Sequence, residues 1–211
     1  MEFTSTQHLE SRHAADLLVI PFWKGGKHPE EASETHPLSK TFSEALASGD
    51  FHGKEREVLL VYVKGQPESR FALLGLGPKS EINVEKLRRA YSSIVRTCRH
   101  KRLKSVNICL PKCASIEQRG LIQGIAEGLL LPNYAFTSLK HDSIKDDPPV
   151  LLQKAAFVGG TKSDSTIANK CATIAESVNF VRDLVNGNAD DVTSQHLAAV
   201  ARGLEKTGRK I

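Results

Sequence analysis

Two apolar periods alternate along this 211-residue chain. Leu17-Leu18-Val19-Ile20-Pro21-Phe22 is a short continuous run followed by Gly25-Gly26, the pattern of a strand buried on both faces. Glu57 to Val63 and Arg70 to Leu76 read as two more strands. The turn signal Lys64-Gly65-Gln66-Pro67 between them predicts a hairpin or at least neighbours. Ser105 to Leu110, ended by Pro111, and Leu151 to Val158, closed by Gly159-Gly160, complete the predicted strands.

Helical spacing fills the intervals. Pro37 to Ser48 is helical in pattern and closed by Gly49. From Asn83 to His100, Leu87, Ala90, Tyr91, Ile94, Val95 and Cys98 recur on one stripe, with Arg89, Arg96 and Arg99 on the other side. Ile116 to Leu131 predicts a further helix. Gly120, Gly124 and Gly128 form a ridge along it, and each costs about 1 kcal/mol of helix stability relative to Ala. A helix carrying three of them is expected to lie very close to a sheet or another helix. Lys140 to Pro149, charged and Pro-rich, reads as a surface loop. A long helix from Asp164 to Val185 follows, then a polar turn and another helix from near Thr193. No internal repeat or low-complexity tract is present. The predicted class is α/β, a mixed and mostly parallel sheet with helices on both faces.

Composition narrows the class of partner. A net charge of +5 permits nucleic-acid contact without requiring it, and 40% hydrophobic with 25% charged residues is ordinary for a globular protein. No apolar run is long enough to span a bilayer, and Met1-Glu2-Phe3-Thr4-Ser5 lacks the layout of a signal peptide, so no membrane role is expected. The cysteines, Cys98, Cys109, Cys113 and Cys171, are irregularly spaced. They read as free thiols in a reducing cytoplasm rather than zinc ligands.

Local chemistry is sparse. Leu73-Leu74-Gly75-Leu76-Gly77-Pro78 has Ser80 where a dinucleotide loop needs its third glycine, and it reads as a tight strand exit. The eight histidines, His8, His13, His28, His36, His52, His100, His141 and His196, make no metal-binding helical pair, and no nucleophile elbow occurs. Arg96, Arg99, His100, Lys101, Arg102 and Lys104 end a helix, where cations complement the dipole. Arg89, Arg96, Arg99, Lys101 and Arg102 are nevertheless the candidate nucleic-acid contacts. Asp183, Asp190 and Asp191 read as turn and helix-start residues rather than metal ligands, with Thr193 as an N-cap.

The closing segment carries the most specific pattern. Arg182-Asp183-Leu184-Val185-Asn186, then Thr193, then Leu197-Ala198, resembles the junction of the leucyl aminopeptidase (cytosol aminopeptidase) family. Glu127-Gly128-Leu129-Leu130-Leu131 with Tyr134-Ala135-Phe136, and Arg70 to Gly77, resemble two of its earlier stretches. Asn188 and Ser194 stand where the family commonly has proline.

The resemblance implies a macro-domain-like N-terminal domain over residues 1–160, a linking helix over 161–186, and the beginning of the peptidase catalytic domain over 187–211. It also implies a cytoplasmic homo-hexamer that removes N-terminal residues from peptides with two divalent metals, zinc, manganese or magnesium. The family's two metal-binding motifs, Gly-Lys-Gly-x-Thr-x-Asp-Ser-Gly-Gly and Asn-Thr-Asp-Ala-Glu-Gly-Arg, do not occur here. The expectation is therefore an N-terminal portion with no catalytic or metal residue of its own, inactive alone, whose first partner is its catalytic domain. The alternative is a binding module, using the basic helix face for DNA or its strand ends for an ADP-ribose-like ligand.

Overall fold

A computed structural model of the chain describes residues 1–26, 38, 43–44, 46–138 and 141–206. The chain divides into two compact units. Unit 1, residues 1–134 and 149–175, holds a six-stranded sheet: β1 (Glu2–Thr6), β2 (Leu17–Phe22), β3 (Val58–Tyr62), β4 (Arg70–Gly75), β5 (Ser105–Cys109) and β6 (Lys154–Val158). Its order is β1-β6-β5-β2-β4-β3. All neighbours are parallel except β3 and β4, which form the expected antiparallel hairpin. The mixed, mostly parallel α/β sheet is thus as the pattern predicts.

β2 is buried at every position because it lies inside the sheet with both faces covered. Leu17 and Val19 join one apolar cluster, while Leu18, Ile20 and Phe22 join the other, as the two-residue period of a strand requires. Pro21 is tolerated in this central strand since the ladder to β5 stops at Val19.

Three helices supply the first cluster: α1 (Val84–Lys101), α2 (Gln118–Leu130) and the first half of α4 (Lys162–Asn186). The six α1 residues predicted as a stripe are the six it buries. Asn83 caps α1, its side chain accepting from Lys86 N at 2.9 Å, and Arg102 ends it in the left-handed region. The glycine ridge of α2 lies against α1. A Cβ on Gly128 would stand 2.6 Å from Arg88 O, and one on Gly124 2.9 Å from Val84 O. Close approach of the two backbones outweighs the helix-propensity cost. Described residues on the second face include Leu38, Leu46 and Phe51. Of the helix expected over 37–48, residues 43, 44, 46 and 47 are helical, and much of the rest lies outside the described residues, as do His28 and His36.

The structure corrects the pattern in three places. β1 was not foreseen: its five residues carry one large buried side chain, Phe3, too few to show a period. It is placed by pairing with β6 and by Phe3 stacking on Phe157 at 5.6 Å. The expected strand at Leu151 begins only at Lys154, because the backbone of Leu152 bonds instead to the Asn133 amide, at 2.9 and 2.8 Å. The predicted loop Lys140–Pro149 contains a one-and-a-half-turn helix, α3 (His141–Asp146). Such a short polar helix has no apolar stripe for periodicity to detect.

Unit 2, residues 135–148 and 176–211, contains α3, the last part of α4, and α5 (Ser194–Lys206). It exposes Val178, Phe180, Val181, Val185 and Leu197.

Candidate functional site

Parallel strands carry binding sites outside their carboxyl ends, where the strand order reverses direction. Here that point is β2: the chain goes on to β4 on one side of it and returns to β5 on the other. Three segments are laced together beyond the ends of β2 and β4. Leu76 N donates to Phe22 O at 2.8 Å, Lys24 N to Gly77 O at 2.9 Å, and Gly77 N to Gly53 O at 3.0 Å. Glu57 adds a side-chain clasp, its Oε2 accepting from His52 N at 3.0 Å and Lys54 N at 2.8 Å. Glycine is required by proximity. A Cβ on Gly75 would stand 2.0 Å from Lys54 O and one on Gly53 2.5 Å from Trp23 O, and Gly53 also has φ of +69°. The Gly-Leu-Gly element therefore serves backbone packing. A cavity of about 610 Å³ opens beside this frame, lined among others by Lys24, Leu46, Phe51, His52 and Lys54. Sequence reasoning missed it, because Lys24 and Lys54 are brought together only by the lacing; the signal available was glycine at 25, 26 and 53.

The five predicted nucleic-acid residues occupy the exposed side and C-terminal end of α1. Arg89 Nε donates to Glu85 Oε1 at 2.9 Å, one i,i+4 pair of the exposed kind. Arg99 Nη2 donates to two carbonyls, Pro132 O at 2.9 Å and Tyr134 O at 3.0 Å, and so anchors the chain that follows α2. Arg96, Lys101 and Arg102 are exposed beyond it.

Within unit 2, Arg182 Nη1 donates to Asn179 Oδ1 at 3.2 Å, and Gly187 N to Asp183 O at 3.1 Å, ending α4. Asn188 O then accepts from Asp191 N and Val192 N, which shapes the polar turn. Thr193 is the N-cap of α5: its Oγ1 accepts from His196 N at 3.2 Å. Ser194 opens the helix where a proline would only pre-set a torsion angle. Asp190 and Asp191 sit in the turn itself. Among the described residues, no three His, Cys, Asp or Glu side chains converge in a way that would hold a metal ion. The described residues therefore do not fit a metal centre.

Residues 19–143 match the family model described as the cytosol aminopeptidase family, N-terminal domain. The chain belongs to that family. It is 45% identical over 206 residues to a probable cytosol aminopeptidase of Protochlamydia amoebophila, covering 98% of this chain and 41% of the relative. The chain thus spans about two fifths of that relative's length. Among solved structures, a tomato leucine aminopeptidase mutant superimposes with a TM-score of 0.77 at 17% identity, covering 98% of this chain and 42% of that one. The bottromycin maturation enzyme BotP in complex with Mn gives 0.68 at 19% identity, covering 92% and 37%. At these identities the likeness is one of fold. No helix among the described residues is long and apolar enough to cross a membrane.

Proposed function

We propose that this chain is the N-terminal portion of a cytoplasmic leucyl aminopeptidase, an enzyme that removes N-terminal residues from peptides with two divalent metals, zinc, manganese or magnesium. The observation that carries the reading is the alignment of 98% of this chain, at 45% identity, with two fifths of a probable cytosol aminopeptidase. Residues 1–160 form the N-terminal domain, 161–186 the linking helix, and 187–211 the start of the catalytic domain. Metal ligands and the groups that polarise the scissile carbonyl belong to the catalytic domain. This chain contributes assembly of a homo-hexamer and control of access to the active site. The exposed apolar residues Val178, Val181 and Val185 on α4 support a partner such as the catalytic domain.

Two assays test this. The 211-residue chain incubated with leucine p-nitroanilide and manganese should release no more product than buffer; robust hydrolysis would overturn the assignment of chemistry elsewhere. Fused to the remaining part of the Protochlamydia relative, it should give an active hexamer. A soluble but monomeric and inactive chimera would count against the assembly role.

A second reading, contact with DNA, rests on the exposed cations Arg89, Arg96, Arg99, Lys101 and Arg102 along the exposed side and C-terminal end of α1. Binding should weaken steeply with salt, and Arg96→Glu with Lys101→Glu should reduce both affinity and salt slope. Affinity unchanged in that variant would remove this reading.

A further inference from the structure

The cavity beyond β2 has a composition that its place in the fold does not require. Its floor is apolar: Phe51 is buried, and Leu46 and Ala47 line it beside Phe51. Its rim is cationic, with exposed Lys24 and Lys54 flanking His52. Among the described residues, neither lysine has a carboxylate within ion-pair distance. Glu57 and Glu81 are otherwise engaged. Glu57 holds the backbone of His52 and Lys54 and lies 3.7 Å from His52 Nδ1. Glu81 receives Lys86 Nζ at 2.7 Å, and that bond holds its carboxyl below the usual range, with Lys24 acting on it only at longer reach.

The rim also differs from a glycine-rich phosphate loop. Gly25 N donates to His52 O at 3.4 Å and Gly26 N to Trp23 O at 2.9 Å, so these amides are not free to cradle an anion. Any negative charge in the cavity would be met by side chains, over an apolar floor. The volume suits one small organic molecule, since pockets for such ligands run to several hundred Å³ and are mostly apolar with a few polar groups. The frame is held by backbone hydrogen bonds, Gly77 N to Gly53 O at 3.0 Å, Lys24 N to Gly77 O at 2.9 Å and Arg56 N to Gly75 O at 3.0 Å, so little ordering is left for a ligand to impose.

We propose that this cavity binds a small organic anion, a phosphate monoester or a carboxylate carried on an apolar or aromatic body. The body lies over Phe51 and Leu46, and the anionic group is held between Lys24 and Lys54. This binding does not depend on the aminopeptidase reading.

Amide shifts of the 211-residue chain, titrated with 1-naphthyl phosphate, 1-naphthoate, 1-naphthol and inorganic phosphate, test the proposal. Saturable shifts are expected at Gly25, Gly26, Phe51, His52 and Lys54 with the two naphthyl anions. The tighter of the two names the preferred head group. Naphthol and inorganic phosphate, each with half of the recognised chemistry, should bind at least about tenfold more weakly, the order expected for losing one charge-assisted or one apolar contact set. The double variant Lys24→Gln/Lys54→Gln changes only exposed side chains and should keep the spectrum of the folded chain. It should bind the naphthyl anions about tenfold more weakly. Shifts confined to the α1 cations, naphthol binding as tightly as the anions, or unchanged affinity in the double variant would each overturn the proposal.

Discussion

The Arg12 guanidinium and the Glu68 carboxylate face each other inside unit 1, Nε to Oε1 at 2.9 Å and to Oε2 at 3.1 Å, with the Glu68 residue wholly buried. Asn107 also donates to Glu68, and its amide reaches His13 O at 2.7 Å. The remaining donors of Arg12 meet Leu9 O at 2.7 Å and Gln66 Oε1 at 3.1 Å. The cluster thereby ties the segment before β2 to the hairpin and to β5.

Removing one partner of such a pair leaves a buried charge without compensation. Glu68→Ala should therefore destabilise the fold by about 3–5 kcal/mol, read from the urea midpoint. Arg12→Met combined with Glu68→Leu should recover much of that loss, since an apolar pair of similar volume costs no desolvation of charge. If the double variant is as unstable as the sum of the two single ones, the pair is not the coupled unit inferred here.

Asp16 supplies a pH dependence. Its Oδ2 accepts from Lys104 N at 2.8 Å, Ser105 N at 2.9 Å and Ser105 Oγ at 3.0 Å. Partial burial pushes this carboxyl up, but those hydrogen bonds outweigh it and hold it below its ordinary value of 3.8. A folded-state value below the unfolded one means the stabilisation is present above the unfolded value and fades as pH falls toward the folded one. Urea midpoints of the wild type and Asp16→Asn should differ by a constant amount above about pH 5 and converge below about pH 4. A gap that widens on acidification would contradict this sign.

Two glycines should respond in opposite directions to alanine. At Gly128 the new Cβ would meet Arg88 O at 2.6 Å, and forcing α1 and α2 apart should cost about 1–3 kcal/mol, more than the helix-propensity gain. At Gly203 in α5, nothing lies within 4 Å of an added Cβ, so alanine should stabilise that helix by up to about 1 kcal/mol. Thermal melts and helix content by circular dichroism read both. A stable Gly128→Ala would show that the helix pair is not close-packed.

Tyr91 is fully buried, yet among the described residues its hydroxyl has no hydrogen-bond partner, and burial pushes its titration far above the ordinary range. A buried hydroxyl without a partner carries an uncompensated desolvation cost of about 1–3 kcal/mol. Tyr91→Phe should consequently leave stability unchanged or raise it. A clear loss would mean that the hydroxyl has a partner, such as a buried water, in solution.

What the chain order and patterning revealed were the elements whose environments are uniform along their length. β2 and β5 were visible as apolar runs because both faces are covered, and α1 because one face is. The cap at Thr193 and the helix end at Asn186 were equally local, set by neighbours within four residues.

Elements placed by distant partners were not visible. Phe3 becomes a strand residue only through Phe157, and Leu152 leaves the strand only because of Asn133. The cavity between Lys24 and Lys54 likewise exists because Gly53, Gly75 and Gly77 bring three separate segments into backbone contact. Sequence alone determined the layered α/β class, since periodic burial is a property of each segment by itself. Strand order, the buried Arg12–Glu68 pair and the cavity were decided by tertiary structure, because each depends on which backbones approach one another across tens of residues of chain.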